Sequence, residues 1–113
     1  MKMTIDIEPK PAPRPRFCGR AYMPIDYQRY KAAIGALVKS QCPTLIEDNL
    51  KLKMTFRRRF KINSRRFGDL DNLVKGVMDA LNGIVFADDA QVTELTASKV
   101  QSATAGIDIE VIV

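Results

Sequence analysis

Hydrophobic residues recur along the chain with two different periods, one typical of β-strands and one typical of α-helices. The order of the segments that show each period predicts the fold. Apolar and polar residues alternate over residues 2–8 and again over residues 49–60, as on β-strands whose side chains point to opposite faces in turn. Residues 91–101 and 106–113 are predicted to form two further strands, antiparallel to each other and joined by a turn near residues 103–106.

A helical period replaces this alternation in two segments. Apolar residues fall at i, i+3, i+4, i+7, i+8 and i+11 in the second segment, as Leu70, Leu73, Val74, Val77, Met78 and Leu81. This spacing predicts an amphipathic helix over residues 70–82, which Gly83 ends. An earlier helix is predicted from an N-cap at Asp26 to about Ser40, and Pro43 stops it.

The segment between the first strand and the first helix is rich in proline. Residues 10–16 are expected to be extended, because each proline disfavours the helical conformation in the residue before it. A short hairpin is predicted over residues 16–23. The order is therefore β, hairpin, α, β, α, β, β, which predicts an α+β fold with a small mixed or antiparallel sheet and two main helices. A length of 113 residues predicts one domain over residues 1–113.

Composition narrows the possible chemistry. The chain has no histidine, which removes Ser-His and Cys-His nucleophile pairs and histidine metal ligands. Cys18 and Cys42 are too far apart in sequence for the usual spacing of a zinc site. No apolar run approaches the roughly 20 residues that span a bilayer. Asp6 places an acid where a signal peptide needs an apolar stretch. These features predict a cytoplasmic protein without an organic cofactor, using carboxylates, lysine, arginine or a hard metal ion.

Charge is unevenly distributed along the chain, whose formal net charge is +5. Residues 51–67 contain basic residues and no acid, whereas residues 69–94 contain six acids and only Lys75 as a base. The basic residues expected to contact DNA phosphates are Arg57, Arg58, Arg59, Lys61, Arg65 and Arg66. A basic surface beside an acidic one suits an enzyme that cleaves a phosphodiester. The alternative for the basic segment is a solvated charged face.

The acids lie at and after the second predicted helix. Asp71, Lys75 and Asp79 share one stripe of this helix, opposite the apolar stripe, and Asp69 precedes its first turn. For each of these residues alone, a cap or a surface ion pair is the simpler interpretation. An ion pair of Lys75 with Asp71 or Asp79 is one such alternative.

The acids taken together favour a metal site. Asp88 and Asp89 follow a short apolar connection, residues 83–87, which we expect to return the chain alongside the helix so that three or four carboxylates converge. Two such charges 4 Å apart repel by about 4 kcal/mol at an effective dielectric constant of about 20. A bound cation would relieve this repulsion, and oxygen-only ligands suit Mg²⁺ or Mn²⁺.

These residues resemble the RusA family of Holliday junction resolvases. The resemblance is carried by the patterns D-L-D-N-L-V-K at residues 69–75, D-A-L-N-G at residues 79–83 and D-D-A-Q-V at residues 88–92. The Pro- and Arg-rich residues 13–17 and the pair Ala21 and Tyr22 are also similar to that family. The similarity spans nearly the whole chain in order and spacing.

The resemblance implies an α+β fold, a homodimer, a Mg²⁺ requirement and symmetric nicking of four-way DNA junctions in recombination and repair. It implies that Asp69, Asp71 and Asp89 bind the metal and act in catalysis, and that Lys75 is the catalytic lysine. Asp88 matches an acid adjacent to the metal ligands. Arg14 and Arg16, in the Pro- and Arg-rich stretch, are expected to bind DNA.

Several interpretations stay open at this point. A Mg²⁺-dependent nuclease acting on branched or flap DNA in general would carry the same residues. A non-catalytic DNA-binding module would keep the basic segment without needing convergent carboxylates, and a structural or assembly protein would need neither. The apolar residues 107–113 fit either a strand at a dimer interface or a central strand of the monomer's own sheet.

Overall fold

The computed structural model describes residues 1–13 and 25–113. Its elements are β1 (Lys2–Ile5), α1 (Ile25–Gln41), β2 (Leu50–Arg58), α2 (Leu70–Leu81), a short 3₁₀ helix (Asp89–Gln91), β3 (Val92–Gln101) and β4 (Gly106–Ile112). The two helices and the mixed sheet confirm the predicted α+β class. The predicted hairpin over residues 16–23 lies outside the described residues, as do Arg14 and Arg16. Neither α-helix of the described part is long and apolar enough to cross a bilayer.

The strand order in the sheet is β1-β4-β2-β3. β4 runs antiparallel to both β1 and β2, whereas β3 runs parallel to β2. The prediction that β3 and β4 form an adjacent pair is therefore wrong: they run in opposite directions, but β2 lies between them. The cause is the connection from β2 through α2 to β3, since a parallel neighbour requires a crossover that a helix supplies.

Burial explains which strand occupies the centre of the sheet. Ile107, Ile109 and Val111 of β4 are buried, and this strand pairs on both sides, as an apolar strand that must be covered would. The interpretation of residues 107–113 as a central strand is thereby confirmed. β3 is exposed or half-buried along its whole length and lies at the edge of the sheet.

The hydrophobic core lies between the two helices and one face of the sheet. The predicted alternation of β2 is confirmed, because Leu52, Met54 and Phe56 are buried while Lys51 and Lys53 are exposed. The apolar stripe of α2 contributes Leu73, Val77 and Leu81 to the core. The charged stripe of α2 is consequently left on the outside, where it can meet a ligand.

The N-terminal segment packs against the start of α2. The amide of Ala12 donates to the carbonyl of Asn72 at 3.0 Å. Gly68 adopts a φ of +97°, and a Cβ atom at this position would lie 3.2 Å from Cγ of Pro11. Because both the left-handed conformation and the close contact disfavour a side chain, glycine is required immediately before Asp69.

Candidate active site

The first two acids lie at the N-terminal end of α2. Asp69 is the N-cap residue, and its carbonyl accepts the first helical hydrogen bond from the amide of Leu73 at 3.0 Å. The Asp69 side chain makes no cap hydrogen bond. Asp71 stands in the first turn, and its carboxylate accepts from the amide of Asn72 at 2.9 Å. Both residues are exposed, so a ligand can approach them from solvent.

A second pair of acids begins the 3₁₀ helix before β3. The Asp88 carboxylate caps this helix by accepting from the amide of Ala90 at 3.0 Å. The side chain of Gln91 reaches back and accepts from the amide of Asp88 at 3.1 Å, which completes a capping box. Asp88 therefore has a structural role that fixes the position of its neighbour Asp89.

Gln91 anchors this acidic turn to another part of the chain. Its Nε2 atom donates to the carbonyls of Ile46 at 2.9 Å and Asp48 at 3.0 Å, both in the connection between α1 and β2. Its Oε1 atom also accepts from the amide of Ala87 at 2.9 Å. In the sequence, Gln91 stands out only as part of the D-D-A-Q-V pattern at residues 88–92. Its anchoring role could not be predicted, because its partners at residues 46 and 48 are distant in sequence.

Negative charge is concentrated around Asp89. The hydrogen bond from the Ala90 amide, and after it a hydrogen bond with the Asp89 carboxyl group, lower the pKa of Asp88, while the same bond between the carboxyl groups raises the pKa of Asp89. Partial desolvation and the charges of Asp88 and Asp79 raise the pKa of Asp89 further. Asp79 of α2 is thus close enough to repel Asp89, and either a proton or a cation would relieve that repulsion.

Lys75 forms an ion pair with Asp79 in the described structure. Its Nζ atom lies 3.6 Å from Oδ2 of Asp79, one helical turn away, and 60% of the lysine side chain is exposed. An exposed i,i+4 pair of this kind contributes only about 0.3–0.5 kcal/mol. The surface ion pair expected as an alternative for Lys75 is therefore present, but it is weak enough to be exchanged for a phosphate.

The acids form two pairs, one at the start of α2 and one after it. Asp71 and Asp79 are eight residues apart on this helix, which places their Cα atoms about 12 Å apart at 1.5 Å per residue. Asp69 and Asp71 stand at the N-terminal end, while Asp89 lies within electrostatic reach of Asp79 in the last turn. The expected convergence of three or four carboxylates is not found: residues 1–13 and 25–113 contain no group of three acids or cysteines that could hold a metal ion.

The path of the chain after α2 explains this separation. Gly83 turns the chain with a φ of +82° at the end of the helix, and Phe86 forms a bridge to Asn82 there. The acidic turn follows at once, before β3 begins. The chain does return alongside α2, as expected from the apolar connection. Asp88 and Asp89, however, lie before β3 begins and so come before the part of the chain that returns.

The donor chemistry nevertheless fits a hard cation. Mg²⁺ is commonly held by one or two carboxylates, with waters and substrate phosphates completing its ligands. The chain presents two such pairs, Asp69 with Asp71 and Asp88 with Asp89. One chain thus presents two partial sets of ligands, each of which needs oxygen atoms from elsewhere.

Two of the arginines expected to bind DNA have partners inside the protein. Arg57 pairs with Asp108, with Nε to Oδ2 at 3.0 Å, and donates to the carbonyl of Thr104 at 3.0 Å. Arg58 pairs with Glu8 at 2.9 Å, and only 13% of its side chain is exposed. These contacts link β2 to β4 and to the N-terminal segment, so they explain both residues without DNA. Whether either also contacts DNA stays a prediction.

The other basic residues expected to contact DNA phosphates lie in one exposed connection, which we call the basic loop. It consists of Arg59, Lys61, Arg65 and Arg66, all exposed and all between β2 and α2. Because this connection ends at Asp69, the basic loop leads directly to the N-terminal end of α2. A phosphate chain bound along the loop would therefore be guided toward the first pair of acids.

Two comparisons with known proteins give matches to this chain. The uncharacterized protein YqaN of Bacillus subtilis (strain 168) is 46% identical over 41 residues, which cover 36% of this chain and 29% of that protein. The match thus spans less than a third of the relative's length. The profile of the family described as endodeoxyribonuclease RusA matches residues 6–112, which include both acid pairs and the basic loop. This chain therefore belongs to the RusA endodeoxyribonuclease family.

Proposed function

We propose that this protein is a cytoplasmic Mg²⁺-dependent endonuclease that resolves four-way DNA junctions by paired symmetric nicks during recombination and repair. The observation that carries the proposal is the exposed acidic stripe of α2, continuous with the basic loop, in a chain of an endodeoxyribonuclease family. DNA held by the basic loop would meet carboxylates able to hold the cation that phosphodiester cleavage uses. Mn²⁺ is expected to replace Mg²⁺, because both take oxygen ligands.

The acids proposed to hold the cation are Asp69, Asp71 and Asp89, with Asp88 fixing the turn that carries Asp89. The donor chemistry of each pair supports this assignment, although one chain does not gather all of these residues. When bound, Mg²⁺ would polarise a phosphoryl oxygen and lower the pKa of a water molecule.

Lys75 is proposed to act on the phosphate directly. It stands one helical turn from Asp71 and is held only by its weak ion pair with Asp79. Its ammonium group, once turned toward the scissile phosphate, would stabilise the negative charge that develops on the phosphoryl oxygens. Asp79 would then position Lys75 in the free protein and keep it away from the acids at the start of α2.

A homodimer is part of the proposal. Two opposed strands of a four-way junction must be cut at related positions, and an isologous dimer supplies two related sites. Because the described residues of one chain do not gather the two acid pairs into one cluster, a second copy would also add the acids of one pair to those of the other. Sedimentation equilibrium at micromolar concentration tests this part. A stable monomer that cuts both strands in one binding event would contradict it.

DNA binding is assigned to the basic loop, with Arg14 and Arg16 as further candidates from the family resemblance. These side chains would contact phosphates, which fixes the register of the DNA without reading its sequence. The preference for a junction over other branched DNA would then come from the geometry of the dimer.

Replacing Asp71 with Asn tests the enzyme against a non-catalytic DNA-binding module. An enzyme should lose turnover while keeping or gaining affinity for a junction, because the change removes one negative charge near the phosphates. The matched control is Asp6→Asn, an exposed acid just after β1, which should change neither quantity. Wild-type protein that binds junctions but never cuts them in Mg²⁺ or Mn²⁺ would favour the binding module.

A further inference from the structure

Two cationic side chains hold the peptide groups just before Asp69. Nη1 of Arg58 donates to the carbonyl of Phe67 at 2.9 Å, and Nζ of Lys99 donates to the carbonyl of Gly68 at 3.0 Å. Arg58 ends β2 and Lys99 belongs to β3, which pairs in parallel with β2. The entry to α2 is thus bound to two neighbouring strands at the same place.

The surroundings of Lys99 combine unfavourable and favourable contributions. Its ammonium group lies near the N-terminal end of α2, where the helix dipole disfavours a positive charge, and the half-buried side chain gives up part of its hydration. Its Nζ atom lies 5.2 Å from the ring centroid of the fully buried Phe67, and this cation–π contact offsets part of that cost. A lysine in this place brings a positive charge to the end of the helix that carries Asp69 and Asp71.

The backbone next to Asp69 depends on these hydrogen bonds for its orientation. Gly68 has no side chain to fix it, and its φ of +97° is open to glycine alone without strain. A rotation of the Gly68 peptide would turn Asp69 away from its present direction and would disturb the first hydrogen bond of α2, from Leu73 to Asp69. The bond from Lys99 opposes that rotation.

We propose that Lys99 is a positioning residue for the cation site, which it serves by holding the Gly68 carbonyl and so fixing Asp69 and Asp71 at the start of α2. The proposal rests on the proposed function for its metal, but the contact with the backbone stands independently of it. Lys99 acts through the peptide before Asp69 and needs no contact with DNA.

The test compares Lys99→Met, Lys99→Arg and a matched control, Lys53→Met. Met keeps the length and the contact with Phe67 but cannot donate, whereas Arg restores a cationic donor. Lys53 lies on β2 on the opposite face of the sheet and is exposed. Mg²⁺ affinity is measured by calorimetry on DNA-free protein, and junction affinity is measured in EDTA.

Lys99→Met should weaken Mg²⁺ binding about 10-fold or more, as expected when a group that supports metal ligands is removed. Junction affinity in EDTA should stay within about 2-fold, since a positioning residue makes no phosphate contact. Lys99→Arg should recover most of the Mg²⁺ affinity, and Lys53→Met should match wild type in both assays. Lys99→Met with unchanged Mg²⁺ affinity, or with weakened junction binding alone, would overturn the proposal.

Hydrogen exchange at the Leu73 amide gives a readout that needs no metal. Because this amide bonds to the carbonyl of Asp69, loss of the Lys99 bond should speed its exchange in Lys99→Met but not in Lys53→Met. Unchanged exchange would refute the positioning role. If Lys99→Met does not fold, Lys99→Leu, whose side chain also cannot donate a hydrogen bond, gives the same comparison. Wild-type protein that cuts no junction in Mg²⁺ or Mn²⁺ would refute the proposed function, while the exchange result would still decide the role of Lys99 at the backbone.

Discussion

Nε2 of Gln91 donates to the carbonyl oxygen of Ile46 at 2.9 Å and so ties the acidic turn to the connection between α1 and β2. Replacing Gln91 with Leu removes this bond, its companion to Asp48 and the two bonds that Oε1 accepts. We expect a decrease of about 1–3 kcal/mol in the free energy of unfolding, because four hydrogen bonds are lost and the half-buried carbonyl of Ile46 is left without this partner. Urea unfolding measures this decrease.

The matched control for Gln91 is Gln41→Leu. Gln41 is exposed, and its hydrogen bonds, at 3.3 and 3.4 Å, are long, so its replacement should change stability by less than about 0.5 kcal/mol. If Gln91→Leu is no more destabilising than Gln41→Leu, the anchor has no energetic role. Cleavage by Gln91→Leu at the wild-type rate would separate the acidic turn from catalysis.

The raised pKa of Asp89 predicts a pH-dependent effect of Asp89→Asn in EDTA. Because the hydrogen bond with Asp88 and partial desolvation raise the pKa of Asp89 above its usual 3.8, the folded state binds this proton more tightly than the unfolded state does. Ionisation of Asp89 therefore lowers stability as pH rises from 3.8 through the folded pKa. Asp89→Asn should raise the midpoint of thermal unfolding at pH 7.

The comparison of Asp89→Asn with wild type is repeated at low pH as a control. Near pH 3 Asp89 is protonated in both states, so the midpoint of Asp89→Asn should approach that of wild type. A lower midpoint for Asp89→Asn at pH 7 would show that the charge of Asp89 stabilises the metal-free fold. That result would remove one argument for a cation beside this turn.

The basic loop should account for much of the salt dependence of DNA binding. Replacing Arg59 and Arg66 together with Ala should reduce the slope of log K against log salt by about one unit for each DNA phosphate that these arginines neutralise. Both side chains are exposed, so stability should change by less than about 0.5 kcal/mol. Fluorescence anisotropy in EDTA across a salt series measures the slope. An unchanged slope would mean that this loop points away from DNA.

Arg57→Met provides the contrasting variant. Its ion pair with Asp108 and its bond to Thr104 join β2 to β4, so we expect a decrease of about 1 kcal/mol in the free energy of unfolding. The salt slope should stay close to that of wild type if Arg57 serves the fold alone. A reduced slope with unchanged stability would instead place Arg57 on the DNA.

Local sequence patterns predicted an element correctly where the burial of that element alone determines its pattern of apolar residues. The spacing of Leu73, Val77 and Leu81 predicts α2 within one residue at its C-terminal end, because a helix with one buried face leaves that period in the sequence. The neighbours of β3 could not be found in this way. Strand pairing depends on the crossover through α2, which no alternation of residues records.

Charge patterns also predicted the site only in part. They located the acids of both pairs, but not the distance between the pairs, which depends on the turn at Gly83. They likewise grouped Arg57 and Arg58 with the basic loop, because their partners Asp108 and Glu8 lie 51 and 50 residues away in sequence. Contacts over such separations are set by the folded sheet and leave no local signal.

Cleavage of a four-way junction, compared with a linear duplex of the same sequence, tests the central proposal most directly. In Mg²⁺ the wild-type protein should nick the junction at symmetry-related positions on two opposed strands and cut the duplex far more slowly. Asp71→Asn and wild-type protein in excess EDTA should leave the junction intact. Equal rates on the junction and the duplex, or full activity in EDTA, would contradict the proposal.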